Sequence, residues 1–245
     1  MSSLRVENLK KNFGRKEAVK EISFSVNSGE VVGLLGPNGA GKTTTFYMII
    51  GIVKPDSGNI FLDSINISSM PVYERARLGI GYLPQEPSIF RKLTVRDNLR
   101  AVLEVKYNKD TKPIERINEE VTQLLNEFSL TEFADREGYK LSGGERRRAE
   151  IARAVALKPV FMLFDEPFAG IDPLAVVDLK KMIKHLKEKG IGVIITDHNV
   201  RETLSITDRA FIIHGGKLLA EGVPEELVNN PAVREVFLGE EFKLQ

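Results

Sequence analysis

One stretch limits what this chain can fold into more than any other. The apolar run VVGLL at 31–35 passes directly into GPNGAGKT from Gly36 to Thr43, and a helical pattern, TTTFYMII, follows. A strand, a glycine-rich loop ending in Lys-Thr, and a helix together match the phosphate-loop pattern. Gly36, Gly39 and Gly41 let successive backbone amides face one concavity, and the helix N-terminus adds partial positive charge. Lys42 can then reach terminal phosphates, and Thr43 can place its hydroxyl on Mg²⁺. The whole stretch Gly36, Pro37, Asn38, Gly39, Ala40, Gly41, Lys42, Thr43 and Thr44 is therefore the candidate nucleotide cradle. The plainer alternative is a glycine turn joining a strand to a helix.

The rest of the chain supplies the sheet that such a loop needs. VFMLF at 160–164 and IGVII at 191–195 are further apolar runs without strict alternation, the pattern of strands buried on both faces of a parallel sheet. Each leads through a polar turn into a helical pattern, so repeated βα units and a mostly parallel sheet covered by helices are expected. LRVENLKKNF, AVKEISFSVNSGE and NIFLD alternate more, predicting a smaller antiparallel layer at one edge. Between 88 and 158 the runs TVRDNLRAVLEV and PIERINEEVTQLLNEF carry apolar residues at helical spacing and read as a helical insertion. FIIHGGKLLAEG reads as a hairpin turning at Gly215 and Gly216, and Pro224 opens a short final helix. The expected division is a core of 1–87 with 159–222, a helical part of 88–158, and a tail of 223–245.

Composition narrows the function classes. Lys and Arg total 35 against 34 Asp and Glu, so no nucleic-acid-coating surface or polybasic anchor is expected, and an anion site must be local. The chain has no cysteine, which excludes disulfides and thiol chemistry and is compatible with a reducing compartment. MSSLRVENLKKNFG carries charges where a secretory signal needs an apolar run, so no export signal is expected. The most apolar stretches fall well short of the roughly 20 residues that span a bilayer. Membrane contact is expected only through partners.

Other residues take meaning from their place beside the phosphate loop. VFMLFDEP sets two carboxylates at the end of a buried strand. Asp165 is placed to hold magnesium through water, and Glu166 to face a water attacking a γ-phosphate. Gln85 and His198 each follow a predicted strand, at the sheet edge where open α/β sheets bind ligands. Asp172 before Pro173 reads equally well as a helix N-cap. Phe13 reads equally as a core aromatic, and Arg146 to Arg148 as a charged helix face. In LSGGE, Ser142 and Glu145 fit a capping box, which accounts for neither Gly143 nor Gly144. A helix N-terminus with bare backbone is a second anion site.

GPNGAGKT, a glutamine after the next strand, LSGGE, VFMLFDEP, GID and a following histidine stand in the order and spacing of ABC-type ATPases, which nearly the whole chain resembles. The resemblance implies a P-loop NTPase of α/β class, with a RecA-like mostly parallel sheet flanked by helices, an antiparallel edge layer and an inserted helical subdomain. It also implies ATP and Mg²⁺ as ligands, with Thr43, Gln85 and Asp165 toward the metal. Two copies would pair head to tail, so that Ser142, Gly143 and Gly144 act in trans on the partner's ATP. By position Phe13 would stack on adenine, Gln85 would sense Mg²⁺ and water, Asp172 would communicate across the dimer, and His198 would contact the γ-phosphate. Phenylalanine replaces the commoner tyrosine at the adenine position.

Longer strings, among them YLPQEPSIFRKLTVRDNL, DEPFAGIDP and VFLGEEFKL, are similar to ATPase subunits of lipopolysaccharide-export transporters. That resemblance implies a homodimer on two membrane-spanning subunits at the cytoplasmic face of the inner membrane, with Phe90 and Arg91 in a groove for a partner's short helix. Phe90 reads alternatively as a cap on the helical part's core. Branched-chain amino-acid importer ATPases are the second reading, although they more often carry His-Asp where this chain has His198-Asn199. A soluble ABC protein of DNA repair or translation is a third, disfavoured by the near-zero charge and single nucleotide-binding unit.

Overall fold

The strand entering the phosphate loop is buried at all five positions, and so are two others, which is possible only in the middle of a sheet covered on both faces. In a computed structural model that describes residues 1–107, 112–239 and 241–242, the chain order is as follows. β1 (Ser3–Phe13), β2 (Lys16–Asn27), β3 (Val31–Leu35), α1 (Lys42–Ile50), β4 (Ser57–Leu62), β5 (Ile65–Asn66), α2 (Val72–Arg77) and β6 (Ile80–Leu83) come first. The helical stretch follows, with α3 (Val95–Lys106), α4 (Pro113–Glu127) and α5 (Gly143–Val155). The chain then returns through β7 (Phe161–Asp165), α6 (Pro173–Glu188), β8 (Gly192–Thr196), α7 (Val200–Leu204), β9 (Arg209–His214), β10 (Lys217–Gly222) and α8 (Pro224–Asn229).

Among the described residues the strands form two sheets, in the orders β2-β1-β4-β5 and β10-β9-β3-β8-β7-β6. The first is antiparallel, as its alternation predicts. In the second, every pairing from β9 across to β6 is parallel, and β10 joins as the far arm of the hairpin. Gly215 and Gly216 both hold positive φ there, the backbone that a two-residue hairpin turn requires. Because β3, β8 and β7 are neighbours, the phosphate loop, the loop bearing His198 and the Asp165–Glu166 pair emerge side by side at the C-terminal edge.

Both faces of the parallel sheet are sealed by apolar packing. On one face Phe46, Met48 and Ile49 of α1 meet Leu4, Val6 and Phe24 of the antiparallel layer, and the Phe24 and Phe211 rings lie 4.6 Å apart between the two sheets. On the other, Met162, Phe164 and Ile195 share one cluster with Leu99, Leu103 and Val121 of the helical stretch and Ile183 of α6. The helical stretch is thus packed onto the sheet rather than carried apart from it. Thr94 caps α3 by accepting from the Asp97 amide, and Pro113 and Pro173 occupy first-turn positions of α4 and α6.

The tail extends further than one short helix. After α8 the chain turns again at Pro231–Val233 and Arg234–Leu238, with Asn230 capping the turn and Val233 buried against Leu35 and Leu227. Residues 240 and 243–245 of the expected tail, and 108–111 of the helical part, lie outside the described residues.

Candidate active site

The phosphate loop is held by close backbone approaches. A side chain at Gly36 would overlap the carbonyl oxygen of Ile213, and one at Gly41 would come within 2.6 Å of Ala18 O, both at positive φ. Gly39 has open space around it, so its φ of +74° alone requires glycine. Gly41 is the N-cap of α1 and provides no side-chain bond, which leaves the first-turn amides available to an anion. Lys42 is 5% exposed and donates from Nζ to Gly36 O at 2.6 Å and Pro37 O at 3.0 Å. Burial lowers its pKa, and the charge of Glu166 partly restores it. A terminal phosphate would take over the place of those two carbonyls. Phe13, half exposed with Lys11 Nζ 5.6 Å above its ring, lines the same 160 Å³ cleft as Gly39 to Thr44.

Beside the loop, β7 ends in Asp165 and Glu166 follows it, two carboxylates with different surroundings. Asp165 is buried, which raises its pKa, while the hydroxyls of Tyr47 and Tyr82 pull it partly back. The Tyr82 hydroxyl stands 3.2 Å from Oδ2. Glu166 holds a φ of +44°, a conformation costing a non-glycine residue about 1–3 kcal/mol, and its amide donates to Thr196 O at 2.7 Å. That bond aims the side chain out of the strand toward His198, whose Nε2 lies 2.7 Å from Oε1. The chain therefore brings Glu166 and His198 into direct contact at the edge where Lys42 ends.

Asp197 is a site residue that sequence reasoning passed over. Buried at 2% exposure, it accepts the Phe168 amide at 2.7 Å on Oδ2 and the Asn199 amide at 2.7 Å on Oδ1. It pins the loops that carry Glu166 and His198 to each other. Its signal in the sequence, an acid lying just beyond an apolar run that ends in Thr196, is weaker than that of Asp165. Asn199 caps α7 through the Glu202 amide.

Gly143 and Gly144 open α5 behind a complete capping box, with Ser142 N donating to Glu145 Oε2 at 2.8 Å and the Glu145 amide to Ser142 Oγ at 3.4 Å. Neither glycine is demanded by its own chain. A side chain at Gly143 would meet nothing within 4 Å, and one at Gly144 only Ala175 at 3.9 Å. Both line a separate 270 Å³ cleft with Gln85, Glu166 and Asp172, whereas the phosphate-loop cleft contains no residue of this LSGGE segment, the signature that opens α5, the signature helix. Asp172 is exposed there and also caps α6, accepting the Ala175 amide at 3.0 Å.

Two plainer expectations need correction. The arginine triplet is not a uniformly solvated face, because the Arg147 side chain is 12% exposed and donates to Pro84 O at 3.0 Å, while Arg148 lies over the Phe133 ring. Nor does Phe90 cap a core. It is 48% exposed under the Arg153 guanidinium, and its exposed neighbour Arg91 accepts the Tyr139 amide at its backbone carbonyl.

Residues 19–169 match the family model described as ABC transporter. The chain belongs to the ABC transporter family. As an ABC ATPase it binds ATP and hydrolyses it to drive transport. It is 55% identical over 244 residues to the lipopolysaccharide export system ATP-binding protein LptB of Haemophilus influenzae, and 53% identical to that of Escherichia coli K12, covering all of each chain. A nucleotide-free ATP-binding cassette from an ABC transporter superposes with a TM-score of 0.85 at 31% identity, over 98% of this chain and 100% of that one. Residues 217–243 also match a model described as branched-chain amino acid ATP-binding cassette transporter. Among the described residues of this ABC ATPase, no helix is long and apolar enough to cross a membrane.

Proposed function

We propose that this ABC ATPase powers lipopolysaccharide export as the nucleotide-hydrolysing subunit of an inner-membrane transporter. The observation that carries the reading is full-length identity above 50% to lipopolysaccharide-export ATPases, and it is supported by the Glu166–His198 contact at the sheet edge where buried Lys42 ends. The importer reading rests on the match at 217–243, which covers only β10 and the tail.

In the proposed cycle Phe13 stacks on adenine, and the cradle from Gly36 to Thr44 and Lys42 hold the phosphates. The oxygen donors of Thr43, Gln85 and Asp165 suit Mg²⁺, a hard cation bound through few protein ligands plus substrate phosphates. Bound there, Mg²⁺ would neutralise charge developing on the β- and γ-phosphates. Glu166 Oε1 accepts the proton of the attacking water, and His198, released from Glu166, donates to the γ-phosphate. Ser142, Gly143 and Gly144 enclose the ATP of a second copy, with Asp172 at the dimer seam. Hydrolysis breaks those bridges and reopens the pair.

The subdomain limits proposed are 1–87 with 159–222 for the nucleotide core, 88–158 for the helical part and 223–245 for the tail. Exposed Phe90 and Arg91 are the docking points for one of two membrane subunits, which hold the homodimer on the cytoplasmic face. Purification of the complex from membranes tests both points. Recovery of two membrane chains whose complex releases lipopolysaccharide on ATP addition is expected, with Phe90→Ala losing them while its own hydrolysis persists. Recovery of a permease that depends on a periplasmic binding protein would transfer the chain to the importer reading.

A further inference from the structure

The segment carrying Gln85 is fastened to one face of the signature helix. Arg147, Glu150 and Arg153 follow one another at three-residue spacing along α5 and so share a face. Arg147 Nη1 donates to Pro84 O at 3.0 Å, just before Gln85. Glu150 Oε1 accepts the amides of Ser88 at 2.7 Å and Ile89 at 3.2 Å, just after it, and Oε2 accepts from Arg147 at 3.3 Å. Arg153 Nη2 donates to Ser88 O at 2.7 Å and Ser88 Oγ at 2.9 Å. Gln85, Glu86 and Pro87, bracketed between these anchors, are exposed.

Glu150 is 3% exposed. A buried carboxylate is expensive unless every lone pair finds a donor, and an apolar side chain would serve packing alone at least as well. What the charge adds is a hold on the chain just after Gln85 and, through Arg147, on Pro84 just before it. Glu166 and His198 ride on the sheet, joined through Thr196 O and Asp197. Gln85 leaves the same sheet at the end of β6, yet its loop is held by α5, whose first turn is Gly143 and Gly144.

We propose that Glu150 is a positioning residue that ties Gln85 to the signature helix, so that the place of Gln85 beside Glu166 is set by where that helix sits. Engagement of Gly143 and Gly144 by the partner's ATP is then transmitted through α5 to the water-activating site of the same chain. The inference rests on the proposed role of Gln85 in hydrolysis.

A double-mutant cycle on the full-length chain tests it, using kcat for ATP together with the affinity for ATP measured separately. Glu150→Ala is expected to lower kcat about tenfold to hundredfold, the usual loss when a residue that orients a ligand is removed. ATP affinity should hold, because Glu150 does not line the phosphate-loop cleft. Glu150→Gln keeps an oxygen for the two amides and should recover part of the loss. In a Gln85→Ala background the added Glu150→Ala change should alter kcat by less than about twofold, since the two act as one unit. Multiplicative losses in both backgrounds would overturn the inference and leave Gln85's role standing. A Gln85→Ala chain with wild-type kcat would overturn that role and the inference with it. Where Glu150→Ala does not fold, the cycle runs with Glu150→Gln and is read the same way.

Discussion

Replacing Gly143 by aspartate separates what the chain needs for its own fold from what it needs for a partner. Gly143 is the first residue of α5, and nothing lies within 4 Å of the side chain it lacks. Leaving glycine relieves a helix-propensity deficit of about 0.5–1 kcal/mol at most, and an acid in the first turn complements the helix dipole by a further 0.3–1 kcal/mol or so. The isolated variant should therefore melt no lower than wild type, and by about 2–4 °C higher for each kcal/mol gained. Its own phosphate-loop cleft contains neither signature glycine, so monomer affinity for ATP should be unchanged. In the closed dimer the new carboxylate would face the partner's γ-phosphate. At 4 Å and an effective dielectric constant of about 20, one such charge pair opposes closure by about 4 kcal/mol. At 1.36 kcal/mol per decade that is about a thousandfold loss of turnover. Thermal melting, fluorescent-nucleotide binding and phosphate release read the three quantities separately. A variant that melts lower, fails to bind ATP as a monomer, or turns over near the wild-type rate would refute the reasoning.

Glu166→Gln removes the proposed general base while keeping the shape of the side chain, so ATP binding should persist, turnover should fall by about 10²–10⁴, and dimers should accumulate with ATP. Size-exclusion chromatography with and without ATP checks this, and a monomeric, active variant would contradict it. Asp165→Asn should stabilise the nucleotide-free chain and abolish hydrolysis. Burial raises the folded pKa of Asp165 above its ordinary 3.8, so the stability of the protonated form is fully present below that value and is lost as pH rises through the folded pKa. The melting advantage of the asparagine variant should thus be absent at the acid end, open across that window and stay constant above it. A pH-independent advantage would remove burial of the charge as its cause.

Much of this architecture is legible in local pattern. VVGLL, VFMLF and IGVII read as two-face-buried strands because no polar residue interrupts them, and the strands they form, β3, β7 and β8, are buried throughout; the capping box of α5 is spelled by two residues three apart. What local pattern does not carry are polar groups whose partners are backbone atoms far along the chain. Arg75, 2% exposed, donates to Met48 O and Ile49 O at the C-terminal end of α1 and to Met70 O, and burial lowers its pKa to about 10. In sequence it is one more charge in a helix. Glu150 is hidden for the same reason, since its role exists only once α5 packs against the segment after β6, and the hold of Asp197 on Phe168 exists only once β8 pairs with β7. Tyr82 reaches Asp165 only because β6 pairs with β7. The two glycines of LSGGE are the opposite case. Their puzzle is plain in sequence, and the chain alone does not solve it, because their surroundings are empty.

The central claim, that each chain holds two halves of different active sites, is tested most directly by mixing two inactive variants. Lys42→Ala disables a phosphate loop and leaves its signature intact, and Gly143→Asp does the reverse. In a symmetric dimer that pairs each loop with the other chain's signature, a mixed dimer has one intact site and one doubly damaged site. Equal mixing, with half the dimers mixed, should restore up to about a quarter of wild-type hydrolysis from two preparations that have almost none alone. A mixture that stays as inactive as its components would contradict the claim.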